Sequence, residues 1–336
     1  MIWLFAVAPV ACSVTLVLTG LLGRLAPHRR PAGRPGSPGA HAWPTPCSGG
    51  IAVVFGTAVA APWVLPVPPV TAVLAGALTL AVLGLMEDVS PLSPAVRLGV
   101  EAVTAVAVAL NGVHVTVTGG WLDIVITAAW LVAITNSFNA LDNADGALGL
   151  LGTVSATGLA MAAFLADQPV TGVLLIAVAS AGLGFLWHNW APARVLMGNA
   201  GSLFIGFLIA ACALLLVAGR PAEHTLAGLL LPTLVATVDT AVVVLARGRR
   251  FLHPGAAHVS HRLRGVGLEP WAVAALPASL AGVTCALNLA VSTGAVDPHT
   301  AIVVAGGTAL VLIVVLLWMN VEPRLPAPFP PAVRRP

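Results

Sequence analysis

The chain has 336 residues, of which 58% are hydrophobic and only 8% carry charge, and its mean hydropathy is +0.99. A soluble domain carries about 25% charged residues, so composition excludes a soluble fold, and nothing points to a nucleic-acid partner. The net charge of +3 comes from fifteen arginines with no lysine, and what it means depends on where those arginines fall.

The apolar runs lie at 2–22, 49–66, 68–85, 96–110, 121–138, 147–166, 170–187, 202–217, 226–246, 271–291 and 301–321. Each approaches the roughly 20 residues that cross a bilayer as a helix. The first run lacks a basic leader and a small-residue cleavage site, so it reads as a transmembrane helix rather than a cleaved signal. Pro66 and Pro69 either separate two crossings or kink one. The four cysteines, Cys12, Cys47, Cys212 and Cys285, have no metal-ligand spacing. The expected fold class is all-α: a polytopic integral membrane protein of about 10–11 transmembrane helices. Residues 1–321 would form one helical domain and 322–336 a Pro/Arg-rich tail.

Numbering the loops alternately tests this topology. The loops after runs one, three, five, seven and nine, together with the tail, hold fourteen of the fifteen arginines; the opposite loops hold only Arg220. The positive-inside rule then puts the Arg-rich loops and the C-terminus in the cytoplasm and the N-terminus outside. The protein is expected in the plasma membrane, with cytoplasmic loops at 23–48, 86–96, 139–147, 188–201 and 247–270. Asp123, Asp167, Glu223 and Asp297 fall near the outer loops. Asp239 stands within an apolar run, where an ionisable group marks a site or a pathway.

Four polar clusters share the Arg-rich side. "GLMEDVSPLSPAVRLGVE" (84–101) joins the adjacent acids Glu87 and Asp88 to Arg97 and Glu101 at i, i+4. In "TNSFNALDNADGALG" (135–149), Asn139, Asp142 and Asp145 recur every three residues and would share a helical face. "WHNWAPARVLMGNAGSL" (187–203) carries Asn189, Arg194, Gly198, Asn199 and Gly201, and "RGRRFLHPGAAHVSHRLRG" (247–265) carries His258, His261 and Arg262. Clustered carboxylates suit a hard cation such as Mg²⁺, which favours carboxylates together with phosphate oxygens. A basic loop suits a polyanion, and Gly198 and Gly201 would let a diphosphate approach backbone. Acids, a divalent cation and a basic loop on one membrane face together point to phosphoryl-group transfer. Solvated turns, helix caps and anionic-lipid contacts are the competing readings of the single clusters.

In order along 44–265, "PTPCSGGIAV", "GLMEDVSPLSPAVRL", "NSFNALDNADGALG", "PARVLMGNAGSLFIG" and "HVSHRL" resemble the motifs of the polyprenyl-phosphate N-acetylhexosamine-1-phosphate transferases. That superfamily includes the undecaprenyl-phosphate N-acetylglucosamine-1-phosphate transferases and the phospho-MurNAc-pentapeptide translocase. The resemblance implies a sugar-1-phosphate transfer from a UDP-sugar to polyprenyl phosphate with release of UMP, using Mg²⁺ (Mn²⁺ as the alternative) at the cytoplasmic face. By motif, Glu87, Asp88, Asp142 and Asp145 would be catalytic, with Asp88, Asp142 and Asn199 at the metal. Asn139, Arg97, Asn189, Gly198, Gly201, His258, His261 and Arg262 would bind substrate. Membrane lipid and a second copy of the chain are the other expected partners.

The sequence departs from the family pattern at four places. Glu87 stands for an Asp, Asn143 for a Gly, Ala257 for an Asp before the histidine, and Asn199 for the Asp of Met-Gly-Asp. Asn offers a carbonyl oxygen but no compensating charge. The alternative reading is therefore a catalytically impaired homologue that binds lipid phosphate or nucleotide, or acts as a scaffold. A transporter would need paired acids at mid-membrane, and only Asp239 comes near that. The histidine loop lacks a consecutive His-His-His run, which favours N-acetylglucosamine over MurNAc-pentapeptide.

Overall fold

The computed structural model describes residues 2–25, 45–249 and 258–319. The order is α1 (Ile2–Leu25), α2 (Gly49–Ala58), α3 (Ala61–Val64), α4 (Pro68–Val89), α5 (Pro94–Leu110), α6 (Trp121–Ala140) and α7 (Ala147–Leu165). There follow α8 (Pro169–Asn189), α9 (Gly198–Val217), α10 (Ala222–Arg249), α11 (Val259–Gly265), α12 (Pro270–Ser292) and α13 (Pro298–Trp318). Among the described residues nine helices are long and apolar enough to cross a membrane. The protein is an all-α, multi-pass membrane protein. The expected run 49–66 is split: α2 is ten residues, and α3 is one turn with Pro62 in its first turn. The run 96–110 is the 17-residue α5.

Hydrocarbon content and burial together order the bundle. Every residue of α9 from Ala200 to Val217 is buried, as expected of a helix that is apolar all round. α9 is the axis, packed by α2, α4, α6, α7 and α10. At the periphery α13 buries only Pro298, Ala301, Ala305 and Leu316 and half-buries Ile302, Leu312 and Ile313, while Val303, Val304, Leu310, Val311 and Val314 form an exposed apolar face suited to lipid. Small residues let the helices approach closely. A Cβ on Gly84 of α4 would collide with the backbone of Asn199 and Ala200, and one on Gly50 of α2 with the backbone of Gly201. Both approaches press neighbouring helices onto the first turn of α9.

The loops expected from sequence shrink where helices run on. α4 continues to Val89, so Glu87 and Asp88 lie in its last turn rather than in a loop. α6 ends at Ala140, leaving 141–146 as a turn, and α8 ends at Asn189, leaving 190–197. The tail 322–336, most of loop 23–48, and residues 250–257 with Ala257 lie outside the described residues.

Candidate active site

One end of the bundle gathers the polar clusters onto the start of α9. Gly198 adopts a left-handed φ of +76°, and any side chain there would meet the Asp88 carboxylate. The first N–H groups of a helix have no partner within it. Here the Gly198 N–H donates to Asp142 Oδ2 at 3.0 Å, Asn199 N–H to Asp88 Oδ1 at 2.9 Å, and Ala200 N–H to Asp88 Oδ2 at 3.1 Å. The Asn199 side-chain amide donates to the same Asp88 Oδ1 at 3.0 Å. Two carboxylates, one from the end of α4 and one from the turn after α6, are thus held on three successive amides, at the positive end of the α9 dipole.

Asp142 and Asp145 reach the site from the turn 141–146, not from one face of a helix as their spacing suggested. Asp145 Oδ2 accepts from Ala193 N–H at 3.0 Å in the 190–197 loop. The Asn189 amide fastens the same two segments, accepting from Gly146 N–H at 3.0 Å and donating to Val195 O at 2.9 Å. The segment before α2 joins them: Leu196 N–H donates to Pro46 O, and Gly49 and Gly50 N–H donate to Leu196 O and Met197 O. Asn139 Oδ1 accepts from Ser202 Oγ at 2.5 Å, which leaves its amide nitrogen available to a ligand.

The histidine segment is fixed from the membrane helix below it. Asp239 of α10 is fully buried, and its carboxylate accepts from His258 Nδ1 at 2.9 Å and from Val259 N–H at 2.7 Å. The pair caps α11 and leaves His258 Nε2 as the free ring nitrogen. His261 lies edge-on to His258 with ring centroids 6.1 Å apart. Burial, then the neighbouring His258 and Arg264, hold its pKa below the usual histidine value. Asn143 ties this segment to the acid turn, because Ser260 Oγ donates to Asn143 Oδ1.

Several residues assigned to substrate from sequence have other partners. The Arg97 guanidinium donates to both Glu87 oxygens at 3.2 Å, to Glu101 at 3.0 Å and to Asn136 at 3.0 Å. Glu87 therefore belongs to an ion-pair network of α4, α5 and α6, with Glu101 only 1% exposed. The i, i+4 pairing of Arg97 with Glu101 is as the spacing indicated. Arg262 is buried and donates to Leu316 O at 2.5 Å and Met319 O at 3.1 Å, satisfying the C-terminal end of α13. Gly201 is buried against Gly50, so it serves helix packing rather than phosphate access. The Asn189 amide is taken up by backbone on both sides. Ser202, Asn136 and Asp239, the partner of His258, were not singled out from sequence as site residues; the signal for Asp239 was its charge inside an apolar run.

Asp88, Asp142 and Asn199 present oxygen donors, the kind that a hard cation takes. Burial raises the Asp142 carboxyl to about 8, against the lowering effect of the Gly198 N–H, and Asp88 and Asp145 raise it further. Asp88 and Asp142 have no arginine or histidine partner among the described residues. No group of three or more His, Cys, Asp or Glu is already drawn together as a metal cage among the described residues. A divalent cation shared with a phosphate ligand would displace the proton that Asp142 holds near neutral pH, and the oxygens of Asp88, Asp142 and Asn199 are donors of the kind such an ion takes.

Fold and site define a polytopic helical membrane protein with an acid-lined polar site at one end of the bundle. The chain belongs to glycosyl transferase family 4, whose family model matches residues 70–217, and so to the polyprenyl-phosphate N-acetylhexosamine-1-phosphate transferase superfamily. It is 36% identical over 276 residues to a candidate glycosyltransferase of Streptomyces coelicolor, a match covering 79% of this chain and 66% of that one. A probable undecaprenyl-phosphate N-acetylglucosaminyl 1-phosphate transferase of Bacillus subtilis is 28% identical over 278 residues, covering 77% of each chain. A decaprenyl-phosphate N-acetylglucosaminephosphotransferase of Mycobacterium leprae is 28% identical over 304 residues, covering 76% of each.

Proposed function

We propose that the protein transfers an N-acetylhexosamine-1-phosphate from a UDP-sugar to polyprenyl phosphate, releasing UMP, at the cytoplasmic face of the plasma membrane. The observation that carries this reading is the meeting of Asp88 and Asp142 on the first three N–H groups of α9. A phosphate oxygen of the polyprenyl phosphate attacks the sugar-linked phosphorus; that P–O bond forms as the bond to UMP breaks. A phosphate dianion replaces a phosphate dianion, so no net proton transfer is required. Asp88, Asp142 and the Asn199 carbonyl would hold Mg²⁺ or Mn²⁺, which when bound neutralises the diphosphate during the displacement. Asp145 orders the 190–197 loop through Ala193. The Asn139 amide nitrogen would donate to the nucleotide, and His258 Nε2 with His261 would contact the diphosphate; what supports this is that Asn139 Oδ1 and His258 Nδ1 already have protein partners. N-acetylglucosamine is the preferred sugar, in line with the names of the Bacillus and Mycobacterium relatives.

The test is UMP release by purified protein given labelled UDP-N-acetylglucosamine, polyprenyl phosphate and Mg²⁺. Turnover that disappears in Asp142→Ala supports the transferase. If no UDP-sugar gives UMP while Asn199→Asp restores release, the natural chain is instead a silent homologue that binds lipid phosphate or nucleotide.

A further inference from the structure

On the outer face of α8, at the end that carries the site, a groove of about 530 Å³ is lined by Leu183, Leu186, Trp187, Trp190, Pro192 and Arg194. Trp187 is 75% exposed and Trp190 41%, and both lie at the terminus of a membrane-spanning helix. Indole rings so placed belong at the boundary between hydrocarbon and headgroups. Arg97 and Arg262 are spent on protein partners, whereas Arg194 is exposed and its guanidinium has no hydrogen-bond or ion-pair partner among the described residues. Arg24 lies in the last turn of α1, next to Gly23, which packs against Val195. The groove thus combines an apolar wall, two interfacial rings and an uncommitted cation.

We infer that this groove binds the headgroup phosphate of an anionic phospholipid, with Arg194 on the phosphate and Trp187 and Trp190 along the upper acyl chain. A single arginine matches the single charge of a phosphodiester, whereas the dianionic polyprenyl phosphate is the ligand suited to the acid-lined site. The bound lipid acts on the site through the backbone. Arg194 follows Ala193, whose N–H holds Asp145, and its own N–H donates to His188 O at 2.8 Å. A headgroup on Arg194 therefore steadies the loop on which Asp145 depends.

The full chain is reconstituted in phosphatidylcholine vesicles containing bromine-labelled phosphatidylglycerol or equally labelled phosphatidylcholine, and tryptophan quenching is measured. The labelled phosphatidylglycerol should quench more strongly. The excess should fall about fivefold in Arg194→Gln, persist in Arg194→Lys, and vanish when Trp187 and Trp190 are both changed to Phe. Equal quenching by the two lipids, or an excess untouched by Arg194→Gln, overturns the assignment. So does reversal of the excess by inorganic phosphate, which marks a free-anion site, or its stoichiometric displacement by polyprenyl phosphate, which marks a substrate groove. Quenching reads lipid binding without turnover, so its outcome is independent of whether UMP is released.

Discussion

Asn199 touches Asp88 twice, through its backbone N–H and its side-chain amide. An aspartate there would keep the first contact and replace the second with two facing carboxylates. In the absence of divalent cation, Asn199→Asp should destabilise the protein by about 1–3 kcal/mol, the range for a lost hydrogen bond that leaves a buried polar group uncompensated. Added Mg²⁺ should reverse the loss and stabilise the variant more than the natural chain, as read by thermal unfolding in detergent with EDTA or Mg²⁺. The same logic separates Glu87 from Asp88. Glu87 is occupied by Arg97, and Glu101 behind it is almost fully buried. Arg97→Ala leaves two carboxylates without their cation and should cost about 3–5 kcal/mol, whereas Glu87→Gln should cost about 1 kcal/mol and retain most turnover. The adjacent acids in "MEDV" look equivalent in sequence, because nothing in the string says that the first reaches Arg97 across α5 while the second reaches α9.

At the level of elements, the site depends on how closely α4 and α10 are set against their neighbours. Gly84 lets α4 lie on the Asn199–Ala200 backbone. Gly84→Ala would force those segments apart, at a cost of about 1–3 kcal/mol for overpacking, and should lower UMP release more than it lowers unfolding temperature. Asp239 carries the histidine segment. Asp239→Asn weakens a charge-assisted pair and a cap worth about 1.5–3 kcal/mol. It should raise amide hydrogen exchange across 258–265 while leaving exchange in α9 unchanged. The helices were legible because long apolar runs admit only one spanning structure built from a single segment. The turn at 141–146 was not: the three-residue recurrence of Asn139, Asp142 and Asp145 mimics a helical face, yet α6 stops at Ala140 and Gly146 turns left-handed before α7. Arg262 was misjudged for a related reason. A basic loop resembles a polyanion site in sequence, and only the fold shows the α13 carbonyls that this guanidinium meets.

For the whole molecule, the hydrogen bonds put the described ends of the Arg-rich segments at one end of the bundle, and Cys47 provides a handle on which side of the membrane that end faces. Cys47 precedes α2, has an exposed face, and lies among the segments paired with Leu196 and Met197. Of the other cysteines, Cys212 and Cys285 are buried, and Cys12 lies within the apolar α1. A membrane-impermeant maleimide should therefore label Cys47 in inverted vesicles and spare it in intact cells; the reverse pattern would turn the proposed topology over. The reaction should also be slow. Burial of the rest of the side chain, then the charges of Asp88 and Asp142, raise the thiol to about 11. Only the thiolate reacts, so at neutral pH its rate should lie about a hundredfold below that of an unperturbed cysteine and climb about tenfold per pH unit. A divalent cation held by Asp88 and Asp142 would remove part of the negative charge that raises this thiol. Mg²⁺ should consequently speed labelling in the natural chain and lose that effect in Asp142→Ala, which reports metal at the acids with no dependence on turnover.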